Sequence, residues 1–126
     1  MSVGQYTELK VWHVGMTLVV EIYRVTALLP PDERYGSVRQ MRRPAISVTS
    51  NIAEGHTRRS RRDFIRFVTI ALGSLAELES QLLIANRLQW LNSEAVSPAL
   101  SLIGQIGRML RCLERAHGHD EVERTR

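Results

Sequence analysis

One cysteine, Cys112, is all the sequence holds, so no internal disulfide can staple the fold, and a reducing, cytoplasmic setting is the expectation. Lysine is equally scarce, since of seventeen basic residues only Lys10 is lysine. Glycine and proline number eight and four, and hydrophobic residues make up 44% against 24% charged. That balance excludes a disordered or collagen-like chain. No run approaches about 18 uncharged apolar residues, so no membrane contact is expected. The first residues, MSVGQYTELKVWHVG, carry a Glu and a Lys before any long apolar stretch and lack a signal-peptide layout. Walker and dinucleotide fingerprints are missing too. With 126 residues the chain has the usual size for one hydrophobic core.

Arginine fills the place that lysine leaves. Residues 34–66 contain nine arginines against two carboxylates, Glu54 and Asp63. That segment is in surplus by seven positive charges, although the whole chain carries only +4. Arginine presents a planar, weakly hydrated fork suited to phosphate or carboxylate. A GC-rich source would raise the arginine share everywhere, but would not gather it in one segment.

Apolar spacing predicts four helices and no strand. The first is expected over 8–29, capped by Thr7 and stopped by Pro30 and Pro31. It carries two apolar stripes: Leu9, Trp12, Met16, Val19, Tyr23, Ala27, and Val11, Val14, Leu18, Ile22, Val25, Leu29. The second is expected over 34–54, ending at Gly55 as a left-handed cap, with a kink between Gln40 and Pro44. The third begins after Ser60, which with Asp63 forms an acidic capping box, and runs to about Arg87. The fourth starts at Asn92 or Ser93 and extends to about Arg115. Residues 116–126 have no apolar periodicity, and a mobile tail is expected there, beyond an ordered core over about 8–115 of one domain.

Four amphipathic helices joined by short loops make an all-α, antiparallel, up-down-up-down four-helix bundle. A bundle helix needs one apolar stripe, about 100° wide or a little more. The first helix has two, and the third adds Ile65, Leu72, Ala76 and Leu83 beside its main seam. Further copies of the chain are the expected cover, giving a homo-oligomeric ring. A wide, asymmetric core within one chain is the other way to hide the surplus.

The stretches ELKVWHVG and YGSVRQMRRPAISVTSNIAEGHTRRSRRDFIRFVTIALGSLAELESQLLIANRL resemble the bacterial four-helix-bundle proteins whose founders are encoded in intervening sequences of large-subunit (23S) ribosomal RNA genes. The likeness covers residues 9–91. It rests on Tyr35-Gly36, Gln40, Arg42-Arg43, Ser50-Asn51-Ile52-Ala53-Glu54-Gly55, Arg59-Ser60, Phe64, Phe67 and the stretch 71–78 taken together. The chain departs from the family pattern in having Thr49 where a proline is usual, Pro44 where a small residue is usual, and His13 where a glutamine is usual. The resemblance implies an all-helical protomer in a homo-oligomer, with pentamers known among relatives. A similar accessory protein of diversity-generating retroelements works with a reverse transcriptase and binds nucleic acid through a basic surface. RNA or DNA, and a nucleic-acid-processing protein, are therefore the implied partners.

Three groups of side chains could carry a function. Arg58, Arg59, Arg61, Arg62 and Arg66 surround the entry to the third helix. Cations there oppose the helix dipole by about 0.3–1 kcal/mol each, while free backbone N–H groups attract anions. The group suits phosphate; it equally suits a solvated loop or a rim of salt bridges to Glu54, Asp63 or a neighbouring subunit. Arg39, Arg42 and Arg43 form a second stripe. With Gly55 opposite Ser60, they fall near Glu77 and Glu79, and salt bridges fixing the register of the second and third helices are preferred over ligand binding. Ser47, Ser50, Asn51 and Glu54 form a polar stripe, read as packing against a neighbouring subunit rather than as an active-site surface.

Catalytic and metal chemistry find little support. Carboxylate-bridged di-metal bundles need Glu-x-x-His on two helices, and here only Glu114-Arg115-Ala116-His117 matches. His117 and His119 suit adventitious metal only, while His13 and His56 lack a carboxylate cluster. Cys112 is expected as a small buried hydrophobe. His56, Ser60 and Asp63 are triad residue types without a glycine elbow. Gly104 and Gly107, spaced like the loop of an RNA-binding KH domain, are expected to let helices pack closely. The sequence thus points to no enzyme, no metal and no cofactor. Its leading function is nucleic-acid binding or an accessory role through the arginines, and its alternative a purely structural assembly module.

Overall fold

The computed structural model describes the backbone of residues 3–125 and the side chains of residues 5–116. Apolar side chains returning every third or fourth residue build four helices: α1 (Lys10–Thr26), α2 (Arg39–Thr57), α3 (Arg61–Arg87) and α4 (Ser93–Thr125). No strand occurs among the described residues.

Local chemistry sets several of the ends. The Ser60 hydroxyl accepts the Asp63 N–H at 3.1 Å and starts α3. The Asn92 side-chain carbonyl accepts the Ala95 N–H at 2.8 Å and starts α4. Between them Gln89 takes a left-handed φ of 63°, and the Asn86 amide donates to the Leu91 carbonyl at 3.0 Å, fixing the reversal.

Other ends differ from the sequence reading. Thr7 does not cap α1; residues Val3–Glu8 form a 3-10 turn, and the helix begins at Lys10 without a side-chain cap. Gly55 is not a left-handed cap either, because α2 continues through it to Thr57. Pro44 is buried inside an unbroken α2, and the departure from α geometry comes earlier, as a π turn over Arg34–Val38. Proline removes the bond that the Gln40 carbonyl would accept; Gln40 is exposed, so solvent can meet that carbonyl. α4 runs past Arg115 to Thr125. Of the tail expected over 116–126, the side chains from residue 117 lie outside the described residues.

Contacts between the helices fix the direction of each. Gly15 meets Thr49, and Thr26 meets Arg42, so α1 and α2 are antiparallel. Ser47 bonds Ser74 while Gly55 meets Phe67, so α2 and α3 are antiparallel. Thr69 bonds Glu114 while Glu79 shares a cleft with Ile103, which makes α3 and α4 antiparallel. α4 closes the bundle by packing on α1. Leu18, Ile22 and Val25 of α1, Val48 of α2, Leu78 and Leu82 of α3, and Ile106 and Leu110 of α4 are fully buried at the centre. Each such side chain contributes about 1.5–3 kcal/mol by leaving water.

The bundle buries one of the two stripes on α1 and covers part of the other, with Leu9, Trp12 and Val19 packed against the core. Val11, Leu18, Ile22, Val25 and Leu29 are core, whereas Met16 is 42% exposed, Val20 68%, and Tyr23 is exposed beside them. On α3, Ile70, Leu83 and Ile84 are exposed as well. Gly104 and Gly107 do not bring helices close. A Cβ at either would meet only the guanidinium of Arg108 or Arg111 on the same helix, at 3.4 Å. They open a cleft of about 190 Å³ towards Leu72, Ala76 and Glu79. Cys112 is exposed, not buried, because the inward positions of that turn are taken by Ile106 and Leu110.

Candidate nucleic-acid interface

Two groups of arginines sit at opposite ends of α2. Positions 40 and 58 are 18 residues apart, about 27 Å at ~1.5 Å rise per residue. The first group is built by the α2–α3 corner. At its centre Phe67, 6% exposed, packs against Gly55 so closely that a Cβ there would lie 2.9 Å from its own Cβ. Arg58 and Arg66 both stand over that ring, their guanidinium carbons 5.0 Å and 4.9 Å from its centroid. Arg58 also bonds the Glu54 carboxylate at 2.9 Å. Arg59, Arg62 and Arg66 are exposed, and Arg61 is partly buried. The structure thus brings all five predicted arginines to one corner, at the positive end of the α3 dipole.

The second group departs from the sequence reading. Arg42 turns towards α1. Its Nε donates to the Thr26 hydroxyl at 2.9 Å, and its guanidinium lies 4.2 Å from the centre of the Tyr23 ring. Thr26, itself buried, donates to the Ile22 carbonyl at 2.6 Å. Arg39 and Arg43 are exposed. The expected register salt bridges do not form among the described residues. Glu79 faces the α4 side of its helix, beside Gly104 and Arg111, and the nearest partner of Glu77 is Gln81 on the same helix, at 3.5 Å. Register comes instead from Gly55 meeting Phe64 and Phe67, further along α3 than Ser60.

Sequence reasoning missed what gathers around these arginines. Tyr23, Arg34, Tyr35, Arg39, Arg42 and Arg43 line an open groove of about 920 Å³. Tyr35, on the π turn, is 80% exposed. The adjacency of Arg34 and Tyr35 was visible, but their meeting with Tyr23 depends on how α1 and α2 cross.

The polar stripe divides. Ser47 and Asn51 face inward within the protomer: the two serine hydroxyls of Ser47 and Ser74 lie 2.9 Å apart, and the Asn51 amide donates to the Ser47 carbonyl at 2.8 Å and its hydroxyl at 3.0 Å. Ser50 and Glu54 are exposed. Among the described residues no three His, Cys, Asp or Glu side chains could hold a metal. The His117 and His119 side chains lie outside them.

No curated protein matches the chain. Among solved structures it is similar to the crystal structure of a protein of unknown function from the S23 ribosomal protein family of Bacteroides thetaiotaomicron VPI-5482. The TM-score is 0.77 at 24% identity, covering 82% of this chain and 97% of that one. At that identity the likeness speaks for the four-helix fold. The model of the 23S rRNA-intervening sequence proteins matches residues 7–112, and this chain belongs to that family.

Proposed function

We propose that the chain is a non-enzymatic, homo-oligomeric bundle protein that binds nucleic acid, alone or as an accessory to a nucleic-acid-processing protein. The α2–α3 corner carries this reading: five arginines stand at the entry of α3, and of them Arg58 pairs with Glu54. Gathering cations at the positive end of a helix is unfavourable by itself, and a bound phosphate relieves it. Met16 and Val20 on α1 and Leu83 on α3 remain exposed, and further copies of the chain would cover them. A ring of copies repeats the cationic corner around its axis.

Binding to RNA and DNA should be measured against salt for the native chain and for the variant R58Q/R59Q/R61Q/R62Q. The native chain should show log K falling with log salt by about 0.9 per phosphate contacted on duplex, and the variant a shallower slope and weaker binding. A flat native response, or unchanged affinity in the variant, overturns the reading. The second reading is an assembly module without a nucleic-acid role. The Arg58–Glu54 pair and the two guanidinium groups over Phe67 favour it. It predicts that the same variant dissociates to monomers in light scattering.

A further inference from the structure

We infer that the groove between Tyr23 and Tyr35, at the other end of α2, receives unpaired bases of single-stranded nucleic acid. The inference rests on the nucleic-acid reading above and adds a second contact surface with a different chemistry. At about 920 Å³ the groove lies within the roughly 300–1,000 Å³ typical of ligand pockets. Four arginines line it, and no carboxylate does. Arg34, Arg39 and Arg43 are exposed and make no ion pair or hydrogen bond among the described residues. Their charge has no ion-pair partner among the described residues, which calls for a polyanion.

The aromatic groups narrow the class. Tyr35 projects from the π turn with 80% of its surface in water. Arg42 is held in place by Thr26 and stacked on Tyr23, so a guanidinium–ring pair is already built at the floor of the groove. Flat faces flanked by free arginines suit bases taken out of a helix, since a base stacks on tyrosine or guanidinium whatever its identity. A duplex keeps its bases stacked on each other and offers only phosphates. A strand bound there therefore needs both its backbone charge and its exposed bases.

The full-length chain should be titrated by fluorescence anisotropy into labelled oligouridylate, labelled oligothymidylate and an RNA duplex of equal length. Tyr35→Ala should weaken both single strands by about tenfold or more and leave duplex binding unchanged, while Tyr35→Phe, which keeps the ring, should bind as the native chain does. R39Q/R43Q should lower the salt slope on single strands by about 0.7 for each phosphate contact removed. The four-arginine corner variant should still show the Tyr35 effect, because its substitutions lie at the far end of α2. Native single-strand binding untouched by Tyr35→Ala overturns the groove and leaves the corner reading standing. Absence of binding by the native chain to any of the three probes overturns both. A fall in light-scattering mass for Tyr35→Ala also overturns it, by making the groove a contact between copies.

Discussion

Gly15 on α1 lies flat against Thr49 on α2: a Cβ built at Gly15 would stand 2.5 Å from the Thr49 methyl carbon. Both residues are buried, and the Thr49 hydroxyl is tied to the Ile46 carbonyl at 2.9 Å. The methyl group therefore has one place to go, and the spacing of the first two helices depends on the missing side chain. Gly15→Ala should cost about 1–3 kcal/mol through overpacking, more than the roughly 1 kcal/mol that alanine gains over glycine in helix propensity. Thr49→Ser keeps the hydroxyl bond and removes the methyl. Adding it to Gly15→Ala should recover much of the loss, and denaturant unfolding of the four chains in a double-mutant cycle measures that coupling.

Gly55 and Gly73 make a matched pair of helical glycines. At Gly55 a Cβ would lie 2.9 Å from the Phe67 Cβ, whereas at Gly73 nothing stands within 4 Å. Gly73→Ala should stabilise by up to about 1 kcal/mol. Gly55→Ala should destabilise by about 1–3 kcal/mol, since the Phe67 Cβ is rigidly placed by its own backbone. Equal melting temperatures for the two variants would contradict the close approach.

Ser60→Ala removes the acceptor for the Asp63 N–H at the start of α3. The expected loss is about 1 kcal/mol, a fall in Tm of about 4 °C. Ser60→Asp restores an acceptor and should restore the melting temperature, as read by circular dichroism.

Arg58→Gln breaks an ion pair between two exposed side chains. Such pairs contribute under about 1 kcal/mol, so the variant should unfold within that margin of the native chain. A larger loss would mean that the contact of Arg58 with Phe67 holds the α2–α3 corner together.

Where the chemistry is local, the structure was legible in advance. The Ser60 cap, the break between Arg87 and Asn92, and the buried stripe of α1 follow from residues within a few positions of one another. The second stripe of α1 is left over only in part: Met16 and Tyr23 are exposed, while Leu9, Trp12 and Val19 pack against the core. Gly55 was misread because a glycine ending an apolar pattern looks the same whether it frees the backbone or admits a neighbour. The Arg39, Arg42 and Arg43 stripe was misassigned for a related reason: spacing puts these residues on one helix, but the crossing of α1 and α2 turns Arg42 to Thr26 and away from α3.

The amino-acid order by itself determined four helices, most of their central positions and the concentration of arginine between residues 34 and 66. Periodicity, capping and charge are properties of neighbours along the chain, and need no knowledge of what packs where. Only the tertiary structure decided which apolar stripe is covered, which glycines admit another helix, and that Tyr23 and Tyr35 meet across one groove with four arginines. Those outcomes depend on helix register and rotation. Both are set by the summed packing of side chains far apart in sequence, so no window along the chain contains them.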